Sequence, residues 1–344
     1  MRIGMSAPPW FPLPPHGYGV IELVVSVLTE GLVRRGHEVT LFASGDSQTE
    51  ARLRYVFAKA PFERIEQGAG LEVLHSLAAY THAAEFDVIH DHDGIASRGM
   101  GALVNRLMGT PVVATLHGPA DPGSQELLVG MRHSLRFIAI SDYQRQGFPD
   151  LDFVATIPNA IDLEQYPFAH KKDGYLLFLG RMTADKGAHT AIEVARRLGE
   201  CLIMAGKINE GPERQYFNEQ VEPHLSDNVH FRGEVDMDVK VELYQHAKCT
   251  LFPIQWAEPF GLVMIESLAT GTPVIAFRRG SVPEVIDHGR TGFVVDTVDE
   301  MVEAVRHVGD IDPAECRRAV TERFGIEAFV DAHEAAYERM LAGA

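Results

Sequence analysis

Glu258 and Glu266 bracket the segment Glu258-Pro259-Phe260-Gly261-Leu262-Val263-Met264-Ile265-Glu266, two carboxylates eight positions apart around a turn and the start of an apolar helical run. Gly261 lets backbone approach a ligand closely, and the N–H groups that follow it have no intrahelical acceptor. A helix N-terminus of this kind attracts anions, phosphate above all. Helical rise alone separates the two carboxylates by roughly 12 Å, comparable to the span from sugar to ribose across a diphosphate. One carboxylate could hold each hydroxyl-rich end of such a ligand. The same letters also fit an acidic helix start followed by one exposed glutamate.

Cations that suit a diphosphate occur upstream. Gly180-Arg181 closes an apolar strand, and Lys186-Gly187 follows in the next loop. Arginine can bind phosphate bidentately while lysine acts as a point charge. The alternative is ordinary solvated charge. His117 follows the strand Val112–Leu116, and Ser141 and Asn159 also sit after apolar strands, where each serves equally well as an N-cap or turn residue. The first strand leads into a long proline-stiffened loop carrying Gly17-Tyr18-Gly19. A dinucleotide fingerprint would need a third glycine where Glu22 stands, so the loop argues against a dehydrogenase. His90-Asp91-His92-Asp93 imitates a metal cluster, but adjacent strand residues point to opposite faces and four in a row do not converge on one ion. No metal site and no cofactor is expected.

The elements that must position these residues are short apolar strands alternating with amphipathic helices, in two successive sets. Ile3–Ala7, Val39–Ala43, Val88–His90, Val112–Leu116, Phe137–Ile140 and Phe153–Ile157 form the first set of strands. Tyr175–Leu179, Leu202–Ala205, Val229–Arg232, Thr250–Pro253, Val274–Phe277 and Gly292–Val295 form the second. Helices are expected near Gly19–Arg35, Ala188–Leu198, Glu213–His224, Val239–His246, Leu262–Ala269 and Gly325–Leu341. This is an α/β chain with two parallel, doubly wound sheets. Open sheets of this kind bind ligands at their carboxyl edges. The expected division is residues 1–168, 169–325 and a terminal helix, 326–344, packing back toward the first domain.

Composition narrows the class. The formal charge is −17 with both halves acidic, which opposes nucleic-acid binding and offers no net basic face to a membrane. Three widely spaced cysteines suit reduced thiols, and no signal-peptide segment opens the chain, so a cytoplasmic protein is expected.

Taken together, the motifs resemble those of retaining glycosyltransferases of family 4, whose architecture is GT-B, two Rossmann-like domains facing across a cleft. The resemblance runs from Gly17-Tyr18-Gly19 through Thr115-Leu116-His117-Gly118, Pro158-Asn159-Ala160-Ile161-Asp162, Gly180-Arg181 with Lys186-Gly187, and Glu258–Glu266, to Gly271-Thr272-Pro273-Val274 and Gly280-Ser281-Val282-Pro283-Glu284. It implies that Arg181 and Lys186 neutralise the donor diphosphate, that Glu258 binds the transferred sugar, and that Glu266 binds ribose. Backbone at Phe260, Gly261, Leu262 and Val263 would meet the distal phosphate or sugar. Gly233 and Val235 fall where the family cradles the base. His117 would lie beside the sugar and leaving phosphate, Gly17 and Gly19 near the donor, and Tyr18, Ser141 and Asn159 on the acceptor side. The first glycine pair is interrupted by Tyr18, and the usual Asn-Gly reads Asn159-Ala160. The implied activity is hexosyl transfer from a nucleotide sugar without metal; UDP-sugars and GDP-mannose both occur as donors in the family, and UDP-hexose with a soluble acceptor is the preferred reading. A sugar-nucleotide epimerase and a non-enzymatic sugar-binding protein are the alternative readings.

Overall fold

The structure, a computed structural model, describes residues 1–17, 19–172 and 174–343, with Gln67 described by its backbone alone. It divides into two compact units, Met1–Ala160 with Ile326–Ala344, and Ile161–Gly325.

The first unit carries β1 (Arg2–Ser6), β2 (Glu38–Phe42), β3 (Arg52–Arg54), β4 (Val88–Asp91), β5 (Val112–Leu116), β6 (Arg136–Ala139) and β7 (Phe153–Thr156). They form one parallel sheet in the order β3-β2-β1-β4-β5-β6-β7. Between them run α1 (Val20–Arg34), α2 (Gly68–Tyr80), α3 (Ile95–Met108), α4 (Pro122–Met131) and α5 (Asp142–Gln146). The strand order reverses between β1 and β4, so the loops after these two strands diverge and leave a crevice at the sheet's carboxyl edge. Sequence patterning misses β3, whose three residues Arg-Leu-Arg show no apolar run because they form an exposed edge.

The second unit carries β8 (Leu176–Leu179), β9 (Leu202–Ala205), β10 (Val229–Phe231), β11 (Cys249–Phe252), β12 (Val274–Phe277) and β13 (Gly292–Val295). Their order is β10-β9-β8-β11-β12-β13, again parallel, with the reversal between β8 and β11. The helices are α6 (Ala188–Leu198), α7 (Pro212–Gln220), α8 (Met237–His246), α9 (Leu262–Ala269), α10 (Val282–Val285), α11 (Val298–His307) and α12 (Pro313–Arg323). Both faces of β8 are buried. Leu176 and Phe178 enter the core with Ile192, Met204 and Val305, while Leu177 and Leu179 pack on the other side with Leu243 and Tyr244. That two-sided burial explains why the strand reads as a continuous apolar run.

The units meet in sequence at 160/161, eight residues earlier than the expected boundary at 168/169. The polar, proline-containing stretch looks like a linker, yet it is hydrogen-bonded into the second unit. Ile161 N donates to Phe324 O, and Arg317 donates to the carbonyls of Leu163, Tyr166 and Ala269. The terminal helix α13 (Ile326–Ala342) belongs to the first unit and packs on α1. Arg35 pairs with Glu327 at 3.0 Å and His37 with Glu334 at 2.7 Å. Gly31 of α1 leaves room for Val330, since a Cβ there would collide with Val330 Cγ2.

Gly31→Ala is therefore expected to destabilise the protein by about 1–3 kcal/mol, because Val330, β-branched and stiff at χ1 in a helix, must shift to clear the added methyl. The same change at Gly130 in α4, where a Cβ meets open space, should stabilise by about 0.5–1 kcal/mol. Thermal unfolding of the two variants distinguishes packing from helix propensity.

Candidate functional site

In the second unit the switch point brings two loops together. Residues 180–187 follow β8 and residues 253–261 follow β11, the two strands at which the sheet order reverses. Gln255 N donates to Asp185 O at 2.7 Å, tying one loop to the other. Lys186 Nζ lies 2.5 Å from Glu258 Oε2 and 5.0 Å from the centre of the Trp256 ring. Arg181 Nη1 donates to Glu213 Oε1 at 3.1 Å, and Glu213 also caps Asn209 N at 2.7 Å. Topology has thus brought Lys186 to a carboxylate 72 positions away in sequence, while Arg181 of the same loop pairs with Glu213.

Gly261 caps α9 with φ +87°, and no side chain bonds the first turn of that helix. Its amides therefore point out of the helix end without a side-chain acceptor. Phe260 and Leu262 are buried, and the partly buried Val263 packs against the core. The loop is held from below. Ser281 N donates to Glu258 O at 2.9 Å and Ser281 Oγ to Phe260 O at 2.8 Å, while Gly280 passes so close to Glu258 that no Cβ fits. Two buried polar atoms in these loops, Thr183 Oγ1 and Trp256 Nε1, have no partner. Buried polar atoms are nearly always hydrogen-bonded, so these two atoms in the loops that carry Arg181, Lys186 and Glu258 leave unused hydrogen-bonding capacity there.

Glu258 and Glu266 are not joined by continuous helix. Glu258 precedes the α9 cap, so the helical spacing assumed from sequence does not describe the pair. Glu266 is 4% exposed, and its oxygens accept from Tyr166 at 2.8 Å, Lys240 at 2.7 Å and Tyr244 at 2.9 Å. Burial alone would raise its pKa, but the Lys240 ammonium and the two phenols hold it below the usual carboxylate value. Three donors leave about one of roughly four lone-pair positions open. Gly233, with φ +75°, accepts from Gly206 N at 2.8 Å, and Val235 packs beside Leu243 and Tyr244.

In the first unit, His117 stands at the carboxyl end of β5. Gln144 donates from its amide to Leu116 O at 2.8 Å and to Gly118 O at 2.7 Å, clamping the main chain on both sides of the histidine. Ser141 is the N-cap of α5, accepting from Gln144 N at 3.0 Å, so the turn reading describes it. Asn159 is buried with Oδ1 unpartnered. Gly17 is exposed, and Gly19 caps α1 where a side chain would strike Pro15. Tyr18 lies outside the described residues.

The His90–Asp93 run alternates as expected. His90 bonds Tyr337 and Thr115, each at 2.7 Å, and His92 bonds His117 at 2.9 Å. Asp91 accepts from Tyr80 and Ser97, and Asp93 from Ser6. Among the described residues no group of three or more His, Cys, Asp or Glu side chains is arranged to hold a metal ion. Sequence reading missed Gln144, Glu213, Trp256, Tyr166, Tyr244 and Lys240. None belongs to a recognisable motif, and each acts through a contact made only in three dimensions.

Comparison with known proteins agrees in both halves. Residues 21–165 match the model described as Glycosyltransferase Family 4, and residues 162–322 match that of Glycosyl transferases group 1. The chain belongs to this glycosyltransferase family. It is 29% identical over 262 residues to a glycogen synthase of Mycobacterium tuberculosis, a match covering 67% of this chain and 62% of that protein. It is 27% identical over 333 residues to the phosphatidyl-myo-inositol mannosyltransferase of Mycobacterium leprae, covering 87% and 84%. The crystal structure of AviGT4, a glycosyltransferase involved in Avilamycin A biosynthesis, aligns with a TM-score of 0.75 and 27% identity over 100% of this chain and 98% of that one. The fold is that of GT-B glycosyltransferases. No helix among the described residues is long and apolar enough to cross a membrane.

Glu22, which replaces the third fingerprint glycine, is buried in the first turn of α1, and desolvation raises its pKa from 4.5 to about 7 against a smaller lowering by its own backbone N–H. The folded state holds this proton more tightly than the unfolded chain. Its favourable contribution is thus present below pH 4.5 and lost as pH rises through 7. Glu22→Gln should therefore match the parent's stability at pH 4.5 and exceed it progressively up to about pH 7.5, by about 1–3 kcal/mol. Thermal unfolding across that range checks it; a constant difference would contradict the burial argument.

Proposed function

We propose that the protein is a retaining hexosyltransferase that takes its sugar from a nucleoside-diphosphate donor bound by the second unit. The observation that carries this reading is the Lys186–Glu258 pair at 2.5 Å, made by the loops that follow β8 and β11, with Glu258 three residues before the Gly261 cap of α9 and Arg181 in the same loop as Lys186. Breaking a glycosidic phosphate bond places negative charge on the leaving diphosphate. Fixed cations and helix amides stabilise that charge without reorganising. Lys186 and Arg181 supply the cations, exchanging or sharing their carboxylate partners with phosphate oxygens. Glu258 then accepts hydrogen bonds from sugar hydroxyls. Glu266 offers its remaining lone pair to a ribose hydroxyl, and backbone near Gly233 and Val235 meets the base.

With these cations at the diphosphate, the reaction needs no metal ion. Attack occurs on the face from which the phosphate leaves, and the leaving oxygen takes the acceptor's proton, so Glu258 positions the sugar and forms no bond to it. UDP-hexose is the proposed donor in preference to GDP-mannose, and a soluble molecule the proposed acceptor. The relatives' names point to different acceptors, glycogen in one and phosphatidyl-myo-inositol in another, so acceptor identity is not carried over from them.

Because the acceptor is unidentified, donor binding is the first test. Saturating UDP should raise the melting temperature, as about 2.7 kcal/mol of stabilisation accrues at a hundredfold excess over Kd. The shift should exceed that given by GDP, persist in EDTA, and vanish in Lys186→Ala and Arg181→Ala. With an acceptor in hand, Glu258→Gln should lower kcat roughly a hundredfold or more. Absence of a shift with any nucleoside diphosphate, or one that requires Mn²⁺ or Mg²⁺, overturns the assignment.

A further inference from the structure

His92 Nδ1 and His117 Nε2 lie 2.9 Å apart, with the rings inclined by 28° and their centres 5.2 Å apart. Burial holds His92 well below the ordinary histidine range, helped by neighbouring His90 and His117. Burial, with Arg98 and His333 adding to it, pushes His117 down to about 3. Both imidazoles are therefore neutral near pH 7. Two neutral rings in this contact have one hydrogen between them, so one nitrogen donates and the other accepts.

The two assignments leave different groups stranded. If His117 donated from Nε2, His92 would carry its own hydrogen on Nε2, an atom buried without a partner. Orphaned buried N–H groups are rare in folded proteins, rarer than acceptors with a lone pair unused. If His92 donates from Nδ1, only a lone pair is stranded at its Nε2, and His117 must carry its hydrogen on Nδ1. His117 is partly exposed, and its Nδ1 is not among the buried atoms lacking a partner. The Gln144 clamp on Leu116 O and Gly118 O fixes the backbone from which the ring projects.

We propose that His92 is a positioning residue for His117, donating from Nδ1 to His117 Nε2 and thereby fixing the tautomer in which His117 presents Nδ1–H as a hydrogen-bond donor to substrate. A neutral N–H suits an oxygen of a sugar hydroxyl or phosphate and does not suit a donor group. The run His90–Asp93 thus serves hydrogen-bond orientation, with His92 as the member that reaches the active edge of the sheet. The identity of that oxygen rests on the function proposed above; the tautomer does not.

The test is long-range ¹H–¹⁵N correlation on protein labelled with ¹⁵N-histidine at pH 7, with His117 assigned by its loss in His117→Gln. The expected spectrum shows His117 protonated at Nδ1 with a bare Nε2, and His92 protonated at Nδ1. In His92→Phe, His117 should lose this single pattern and give averaged shifts, while His92→Asn, which can keep a donor near the same place, should retain it. Where transfer can be assayed, His92→Phe should lower kcat roughly ten- to hundredfold with donor KM changed less than about twofold, and His92→Asn should recover most of the loss. Protonation of His117 at Nε2 in the parent protein, or an unchanged His117 spectrum in His92→Phe, overturns the inference. If no sugar nucleotide binds, the functional reading fails while the spectrum still decides the tautomer.

Discussion

A carboxylate removed from water must be matched by donors, and Glu266 obtains its three from two separate stretches of chain. Tyr166 comes from the segment entering the second unit, and Lys240 and Tyr244 come from α8. Removing any one leaves a buried charge short of a partner, which costs far more than an exposed hydrogen bond is worth. The carboxylate therefore fixes α9 against α8 and against the segment at Tyr166 that enters the second unit. The far end of α9 is the cap at Gly261, beside Glu258 and Lys186. A helix terminus can stabilise developing charge only if it does not move when the charge appears. Glu266 thus helps to hold the helix that begins at Gly261 in place, whatever else it contacts.

The first unit places its polar groups under a related constraint. His90, Asp91, His92 and Asp93 are all buried at the end of β4, and the strand's alternation sorts them. The two imidazoles run toward Thr115, Tyr337 and His117, and the two carboxyls toward Tyr80, Ser97 and Ser6. Burial raises both carboxyls, most strongly Asp93, where the Asp91 charge adds to the effect. Such a layer, dense in hydrogen bonds beneath a loop-lined edge, holds directions that an apolar core could not specify. Tyr337 comes from α13, so the terminal helix takes part in this layer as well as covering α1.

Much of the architecture was legible in the strand and helix periods. Ala188–Leu198 and Leu262–Ala269 have the boundaries their patterns predict, and all six strands of the second sheet lie where apolar runs place them. Arg52–Arg54 was not legible, because an exposed edge strand needs no apolar residues. The boundary was misread because the stretch that follows residue 160 looks polar and loose, while the backbone of Ile161, Leu163 and Tyr166 is bound by Phe324 and Arg317. Polarity reports exposure of side chains and says nothing of where backbone carbonyls find their donors.

For the site, the sequence by itself determined the chemical types: the cations Arg181 and Lys186, the carboxylates Glu258 and Glu266, the glycine that opens α9, and His117 after a strand. The placement of Arg181, Lys186, Glu258 and His117 after strands, and of Glu266 within the helix that Gly261 opens, follows from short-range pattern, which is local and therefore readable. Only the tertiary structure decided which of them touch. Reversal of strand order between β8 and β11 brings Lys186 to Glu258, and burial gives Glu266 to Tyr166, Lys240 and Tyr244. The contact of His92 with His117 likewise comes from adjacent strands β4 and β5 being paired. Pairing of distant segments depends on how whole elements pack, and no local spacing encodes it.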